Sequence, residues 1–304
     1  MQVGVLFYVT GYTIDPVTLG QAVEAAGFDS VWLPDHPALP VKTDLPFPMT
    51  GGDFPRLYGE MADPFVTMGF LAAATTTLKV ATGVCVVPGR HPLNLAKAAS
   101  TVDNFSGGRL LLGIGVGYMR EEIELFGVDF DTRWTYTRET VDFCRRLWTD
   151  GQAAYDGKLL SYPEVIVDPL PVQRPGPPIV IGGMNTEYTY RRIARWGDGW
   201  LATLPSPDQI AEGRKAITAE CEAIGRDPAE IEISVLTHEA DPALQEAYAD
   251  AGADRLVVML YNHPGRAVTP DEWLEVSAVA ATSPAPTTDE TLRALDLIRT
   301  RARL

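Results

Sequence analysis

Leu256-Val257-Val258-Met259-Leu260 is an apolar run with no polar break. Strict alternation would mark a strand with one wet face. An unbroken run of this length marks a strand buried on both faces, as in parallel sheets covered by helices. Similar runs recur along the chain at Val3–Phe7, Ser30–Leu33, Lys79–Val87, Arg109–Gly115, Ile179–Ile181, Trp200–Thr203 and Ile231–Leu236, with Arg255–Leu260 as the eighth. Each is followed by a stretch with helical periodicity. Asp15-Pro16 opens the first helix, with Asp15 at the N-cap and Pro16 at the first helical position. Asp63-Pro64 opens a helix to about Thr75, and Pro92–Phe105 and Arg133–Trp148 follow. Thr186 starts a helix to Trp196, Ser206-Pro207-Asp208-Gln209 is a capping box, Asp241-Pro242 opens another helix, and Asp289–Arg303 is the last. Eight β-then-α units in order predict a (β/α)8 TIM barrel, read as a single domain over residues 1–304. An open doubly wound sheet is the alternative, but nothing interrupts the chain between two halves.

Three segments break the rhythm. Pro37–Ala62 is a loop insertion after strand two, and Tyr261–Thr288 one after strand eight, where Thr269 to Glu272 reads as the capping box of a short helix. Ala153–Pro178 before strand five reads as a small β excursion around Asp156-Gly157. The two loop insertions leave from strand C-termini, where barrel enzymes build their sites. They read either as lids and substrate walls or as passive surface loops.

The chain has 304 residues and a net charge of −15. That charge argues against nucleic acid or an anionic membrane as partner, and requires local donors for any anionic ligand. Cys85, Cys144 and Cys221 share no metal-ligand or disulfide spacing and read as reduced thiols. No basic leader precedes the first strand and no apolar run reaches membrane-spanning length, so a cytoplasmic protein is expected.

Asp35-His36 stands at the end of strand two. An imidazole there can exchange a proton near neutral pH, or it can be a structural histidine satisfied by backbone. Thr82-Gly83-Val84 puts a glycine inside an apolar strand, marking a bulge, a ligand approach or a tight packing contact. Gly113-Ile114-Gly115-Val116-Gly117, followed by Tyr118, lacks dinucleotide-loop spacing but could let a flat ring or a phosphate approach the backbone. Gly182-Gly183-Met184-Asn185-Thr186 precedes a helix whose free N–H groups could hold a phosphate, while Asn185 or Thr186 could serve only as N-cap. Arg90-His91-Pro92 offers a cation and an imidazole, or a solvated loop. Gly107-Gly108-Arg109 lies on the opposite, stability face and reads as turn chemistry. Hydrolase elbows, zinc-protease motifs and P-loops are missing from the sequence.

Together these stretches resemble the luciferase-like monooxygenase superfamily, and within it the oxidoreductases that use the deazaflavin coenzyme F420. The resemblance rests on Ala25-Ala26-Gly27-Phe28-Asp29-Ser30-Val31-Trp32 leading to Asp35-His36, on Thr82-Gly83-Val84 with Pro88-Gly89-Arg90-His91-Pro92, and on Ser106-Gly107-Gly108-Arg109-Leu110. It continues through Gly115-Val116-Gly117, Arg120-Glu121-Glu122, Pro178-Ile179-Val180-Ile181-Gly182-Gly183 and Ala194-Arg195-Trp196-Gly197-Asp198-Gly199-Trp200. It implies a cofactor in the barrel mouth, a non-prolyl cis peptide at Gly83–Val84 pressing on its central ring, and His36, with Asp35, at the reacting centre. Gly115, Val116, Gly117 and Tyr118 would line the ring, and Gly182, Gly183, Met184 and Asn185 the phosphate end. Tyr118 stands where the sugar-phosphate dehydrogenases of this family carry a glutamate, which argues against a sugar phosphate as substrate. Met184–Glu187 contains no lysine for a phosphate, and Arg90 and Arg266 are the cations read as substitutes.

The activity implied is hydride transfer between F420 and a small organic substrate. The alternatives are a two-component monooxygenase using FMN and dioxygen, and a non-catalytic flavin-binding barrel. The resemblance also implies a homodimer, for which Tyr8, Phe65 and Trp134 read equally as contact or core residues.

Overall fold

The structure, a computed structural model, describes residues 1–46, 54, 56–260 and 287–304. The sequence-predicted short helix at Thr269–Glu272, Arg266 and part of the Pro37–Ala62 insertion lie outside the described residues.

The strands are β1 (Gln2–Leu6), β2 (Ser30–Leu33), β3 (Lys79–Thr82), β4 (Cys85–Val86), β5 (Leu110–Gly115), β6 (Gln152–Asp156), β7 (Ser161–Ile166), β8 (Ile179–Gly183), β9 (Gly199–Thr203), β10 (Glu232–Thr237) and β11 (Arg255–Met259). The helices are α1 (Pro16–Ala25), α2 (Pro64–Ala74), α3 (Pro92–Ser106), α4 (Arg120–Glu124), α5 (Arg133–Asp150), α6 (Glu187–Trp196), α7 (Pro207–Glu222), α8 (Pro242–Asp250) and α9 (Thr288–Ala302). β1 pairs in parallel with both β2 and β11, and the parallel ladder runs on through β10, β9, β8 and β5. Pairing of β2 with β3, and of β3 with β5 at Val80↔Leu110 and Ala81↔Leu111, closes the (β/α)8 TIM barrel. β6 and β7 form a separate antiparallel hairpin.

Alternation along the strands explains the unbroken apolar runs. Leu6, Trp32, Ala81, Leu111, Val180, Leu201, Leu236 and Val257 form a cluster inside the barrel. Their neighbours Val5, Val31, Val80, Leu112, Ile181, Val235 and Val258 pack outward against the helices. Both faces are dry along the middle of the barrel, so polar residues fall mostly at the strand ends, with Ser234 inside β10 as an exception. The floor of the barrel is polar. Arg255, fully buried, is held by Asp29, Glu232 and Gln2 and lies 6.0 Å from the Trp32 ring centroid.

The helix signals in the sequence are met by matching caps. Asp15, Asp63, Ser206 and Asp241 accept from first-turn amides, each followed by proline. On the stability face, Gly107 caps α3 at φ 72°, and Arg109 donates to the carbonyls of Ser106, Leu78 and Ala72. The three cysteines are free and buried. Among the described residues no helix is long and apolar enough to cross a membrane.

Two expectations are corrected. The third strand is not continuous from Lys79 to Val87. It breaks between β3 and β4 at a cis Gly83–Val84 bond, the isomer the resemblance implies. In addition, α4 follows β5 directly, where the sequence shows no helix start. Five residues give no readable periodicity, and the helix is held by Ile123 packing with Val86 and Val128.

The break in the third strand accounts for three glycines. A Cβ on Gly113 would stand 1.9 Å from the Thr82 carbonyl oxygen. A Cβ on Gly115 or on Gly182 would stand 2.7 Å from a Val84 methyl. Val84 therefore lodges between the β5 and β8 backbones, in space that only glycine leaves open.

Gly182→Ala is expected to destabilise the fold by about 1–3 kcal/mol in urea unfolding, because it overpacks against Val84. A double-mutant cycle with Val84→Ala should recover most of that loss, whereas Gly113→Ala, facing backbone, should not be relieved by it. The second prediction concerns Glu24, whose carboxylate accepts from the Thr76, Thr77 and Leu78 amides. Desolvation pushes its pKa up, but these bonds and the Thr77 hydroxyl outweigh it and hold the group at about 2, below the ordinary 4.5. The folded chain then binds its proton less readily than the unfolded chain. The stability gap between wild type and Glu24→Gln should be full above about pH 4.5, shrink on acidification and vanish near pH 2.

Candidate active site at the barrel mouth

The C-terminal ends of all the barrel strands open on one face. His36 lies three residues beyond β2, and its side chain is only 8% exposed. Its Nδ1 stands 3.0 Å from both carboxylate oxygens of Glu122, which is wholly buried. An ionised Glu122 accepts from Nδ1–H, and that fixes the tautomer and leaves the Nε2 lone pair as the ring's available base. Among the described residues Nε2 has no hydrogen-bond partner. Glu122 is brought here by α4.

Aromatic rings surround the imidazole. Tyr58 lies 5.0 Å from it and Tyr118 5.9 Å, centroid to centroid. Phe54 stacks on Tyr118 at 6.1 Å, and Tyr8 lies 6.0 Å from Tyr58. Burial, then the neighbouring Tyr8 and Tyr118, push the Tyr58 phenol well above its ordinary pKa. Burial, and secondarily Glu122, does the same for Tyr118. Both phenols are neutral donors at any physiological pH.

Asp35, next to His36 in sequence, does different work. Its Oδ1 accepts from Arg90 Nη2 at 2.8 Å, and its Oδ2 accepts from Arg90 Nε and the Val86 amide, each at 3.1 Å. Arg90 also bonds Asp63, the N-cap of α2, at 2.9 Å and stacks over Phe65 at 4.9 Å. Asp35 thus ties the end of β2 to β4 and holds the backbone that carries His36, which makes it a positioning residue. Arg90, read from sequence as a holder of an anionic group, has its charge met by two carboxylates inside the protein. His91 turns to the β6–β7 hairpin and bonds the Tyr162 hydroxyl at 3.3 Å.

The glycines read as lining the cofactor are partly committed to packing. Gly115 and Gly182 make room for Val84, and a Cβ on Gly117, at φ 71°, would meet Ile123 at 2.5 Å. Val116 is buried. Of the cofactor-lining candidates after β5 and at β8, Tyr118 and Met184 are exposed, Met184 to 66%, and Gly117, Gly182, Gly183 and Asn185 are half-buried. Thr186, not Asn185, is the N-cap of α6.

Sequence reading missed Glu122, Tyr58, Phe54 and His238. Glu122 carried a signal, being an acid shortly after the β5 glycines in the motif Arg120-Glu121-Glu122. Its neighbour Glu121 accepts from the Thr43 hydroxyl at 3.1 Å and the Asp44 amide at 3.0 Å, and so anchors the same loop that bears His36. His238 follows β10, and burial lowers its pKa to about 4, so it is neutral at pH 7. Among the described residues no cluster could hold a metal ion.

A sequence model described as luciferase-like monooxygenase matches residues 14–294. The Mycobacterium tuberculosis protein Rv0953c is 34% identical over 229 residues, covering 75% of this chain and 80% of that one. The coenzyme F420-dependent tetrahydromethanopterin reductase of Methanopyrus kandleri superposes with a TM-score of 0.69 at 15% identity, covering 100% of this chain and 99% of that one. The monooxygenase RslO1 of Streptomyces bottropensis gives 0.64 at 22% identity, covering 99% and 90%. The fold, the cis Gly83–Val84 bulge and the match over nearly the whole chain agree, and the protein belongs to the luciferase-like monooxygenase family.

Proposed function

We propose that the protein is an oxidoreductase that transfers hydride between coenzyme F420 and a small organic substrate. The observation that carries this reading is the His36–Glu122 pair at the mouth, a proton-handling dyad with its Nδ1 end fixed by a buried carboxylate. A hydride transfer to or from a carbonyl carbon needs a proton partner on the oxygen, and a histidine oriented in this way supplies one. The mouth also suits a flat ring. Val84 bulges against the inner cluster on one side, and Tyr8, Tyr58, Tyr118 and Phe54 form an aromatic wall on the other.

The deazaflavin, when bound, supplies the hydride chemistry. The chain's own residues supply position and proton. On substrate oxidation, Nε2 of His36 takes the hydroxyl proton as hydride leaves the adjacent carbon, and Glu122 stabilises the imidazolium that results. On reduction, the same nitrogen returns the proton to the oxygen. Asp35 and Arg90 hold the loop in place, and the aromatic wall excludes water from the reacting pair.

A second reading, an FMN-dependent monooxygenase, is favoured by the likeness to RslO1. Parallel titrations with F420 and FMN separate the two. Tighter binding of F420 with substrate-dependent bleaching is expected, and preference for FMN with oxygen uptake would reject the first reading. His36→Ala should lower turnover by roughly 10²–10⁴-fold while leaving cofactor affinity within a few-fold. Glu122→Gln should lower turnover less and flatten the pH–rate profile. Unchanged turnover in His36→Ala would leave a non-catalytic flavin-binding barrel as the better account.

The protein is further proposed to be a homodimer. Tyr8 and Phe65 are buried and Trp134 is half-buried under Arg192, so they belong to the core rather than a contact. Exposed apolar side chains stand instead on α2, where Val66 is 63% and Phe70 54% exposed. Light scattering should report a dimer for the wild type and a monomer for Val66→Lys/Phe70→Lys. A monomeric wild type would remove this assignment.

A further inference from the structure

The segment after β2 carries part of the aromatic wall, and its two limbs are tied down differently. The returning limb is fixed to the barrel. The Ala62 amide donates to the Val9 carbonyl at 2.9 Å, Met61 bridges to Thr10, and the Tyr12 hydroxyl donates to Glu60. Leu57 and Met61 pack against the inner cluster, as Val84 does. The outgoing limb, residues 37–46, belongs to no helix or strand. Among the described residues, its hydrogen bonds to the rest of the chain all go to one atom. Glu121 Oε1 accepts from the Thr43 hydroxyl at 3.1 Å and from the Asp44 amide at 3.0 Å. The Thr43 oxygen accepts in turn from the Leu45 amide at 3.0 Å, which extends the hold by one residue.

The two limbs meet beside the wall. A Cβ on Gly59 would stand 3.3 Å from the Leu39 Cβ, so Leu39 rests on the residue next to Tyr58. The Tyr58 ring lies 5.0 Å from that of His36. A short physical path therefore runs from the Glu121 carboxylate through Thr43-Asp44 and Leu39 to the ring over the imidazole. The base of this path is firm. Glu121 stands on α4, where Glu122 holds His36, Ile123 packs with Val86 and Val128, and Arg120 pairs with Glu124 and Asp131. Its own amide first, and then that of Asp44, hold the Glu121 carboxyl below the ordinary 4.5. It is ionised at neutral pH, so both bonds to the limb are charge-assisted.

We propose that Glu121 is a positioning residue that latches the outgoing limb and so keeps the Tyr58 side of the wall closed over the ring bound in the mouth. This rests on the reading of the mouth as a flavin or deazaflavin site. Glu121 takes no part in proton or hydride transfer. Its loss speeds escape of the ligand and leaves the His36–Glu122 pair in place.

Three variants test the latch. Glu121→Ala removes the acceptor, Glu121→Gln keeps an oxygen for the same two donors, and Thr43→Val removes one donor from the other side. Lys42, exposed and adjacent to Thr43, is a tryptic site that reports on the limb without any ligand. Cleavage after Lys42, followed by mass spectrometry, should be about tenfold faster in Glu121→Ala, a few-fold faster in Thr43→Val and near the wild-type rate in Glu121→Gln. Stopped-flow release of F420 or FMN, whichever binds, should quicken by about the same factor in Glu121→Ala and return to the wild-type rate in Glu121→Gln. Unchanged cleavage in Glu121→Ala would overturn the latch whatever the mouth binds. Faster cleavage with unchanged release would overturn its coupling to the wall, and a loss in Glu121→Gln as large as in Glu121→Ala would overturn the part played by the two bonds. If neither ring binds the wild type, the cofactor reading falls and the closure with it, while the cleavage rates still decide the latch.

Discussion

Val84 fills the gap that Gly115 and Gly182 leave between the fourth and fifth staves of the barrel, and the geometry of the mouth follows from that contact. With Val84 lodged there, the third stave stops at Thr82 and resumes at Cys85, displaced as β4. The displacement presents the Val86 amide to Asp35 and, a few residues on, brings Arg90 back to the same carboxylate. Asp35 in turn fixes the segment that bears His36. A packing contact among small residues thus determines where the His36 imidazole stands, although none of those residues carries a polar side chain.

Carboxylates do much of the fixing around this frame. Glu121 and Glu122 are consecutive on a five-residue helix, yet one holds the loop after β2 through Thr43 and Asp44 and the other holds His36. Glu139 accepts from the amides of Lys158, Leu159 and Leu160 and so closes the β6–β7 turn onto α5. Glu24 does the same for the turn before β3. Turns expose several N–H groups in one direction, and a carboxylate can satisfy two or three of them at once. Part of the −15 net charge is therefore structural, each acid replacing donors to water with donors to protein.

How far the sequence could be read depends on how local each signal is. Apolar runs and Asp-Pro or Ser-Pro helix starts are determined by near neighbours, and the barrel was legible from them. The position of His36 at the barrel mouth was legible because a strand end is a local place. Glu122 was not, because its meaning depends on an imidazole 86 positions away. The glycines at 115 and 182 were visible as positions needing close approach. That the approaching atoms are Val84 methyls depends on a neighbouring strand, which no spacing reveals. Arg90 looked like a free cation beside a strand end, but its partners Asp35 and Asp63 lie at the starts of two other segments.

The electrostatics of the mouth then divide into two zones with opposite requirements. Around His36 the groups are neutral or mutually paired: two phenols held protonated by burial and an imidazole on a carboxylate. Such an environment strengthens the Glu122–His36 interaction, because little water screens it. It also penalises any net charge left there without a partner. Beyond Tyr118 positive charge collects instead, where Arg133 and Arg192 rest on the Phe130 and Trp134 rings with no carboxylate within ion-pair distance among the described residues.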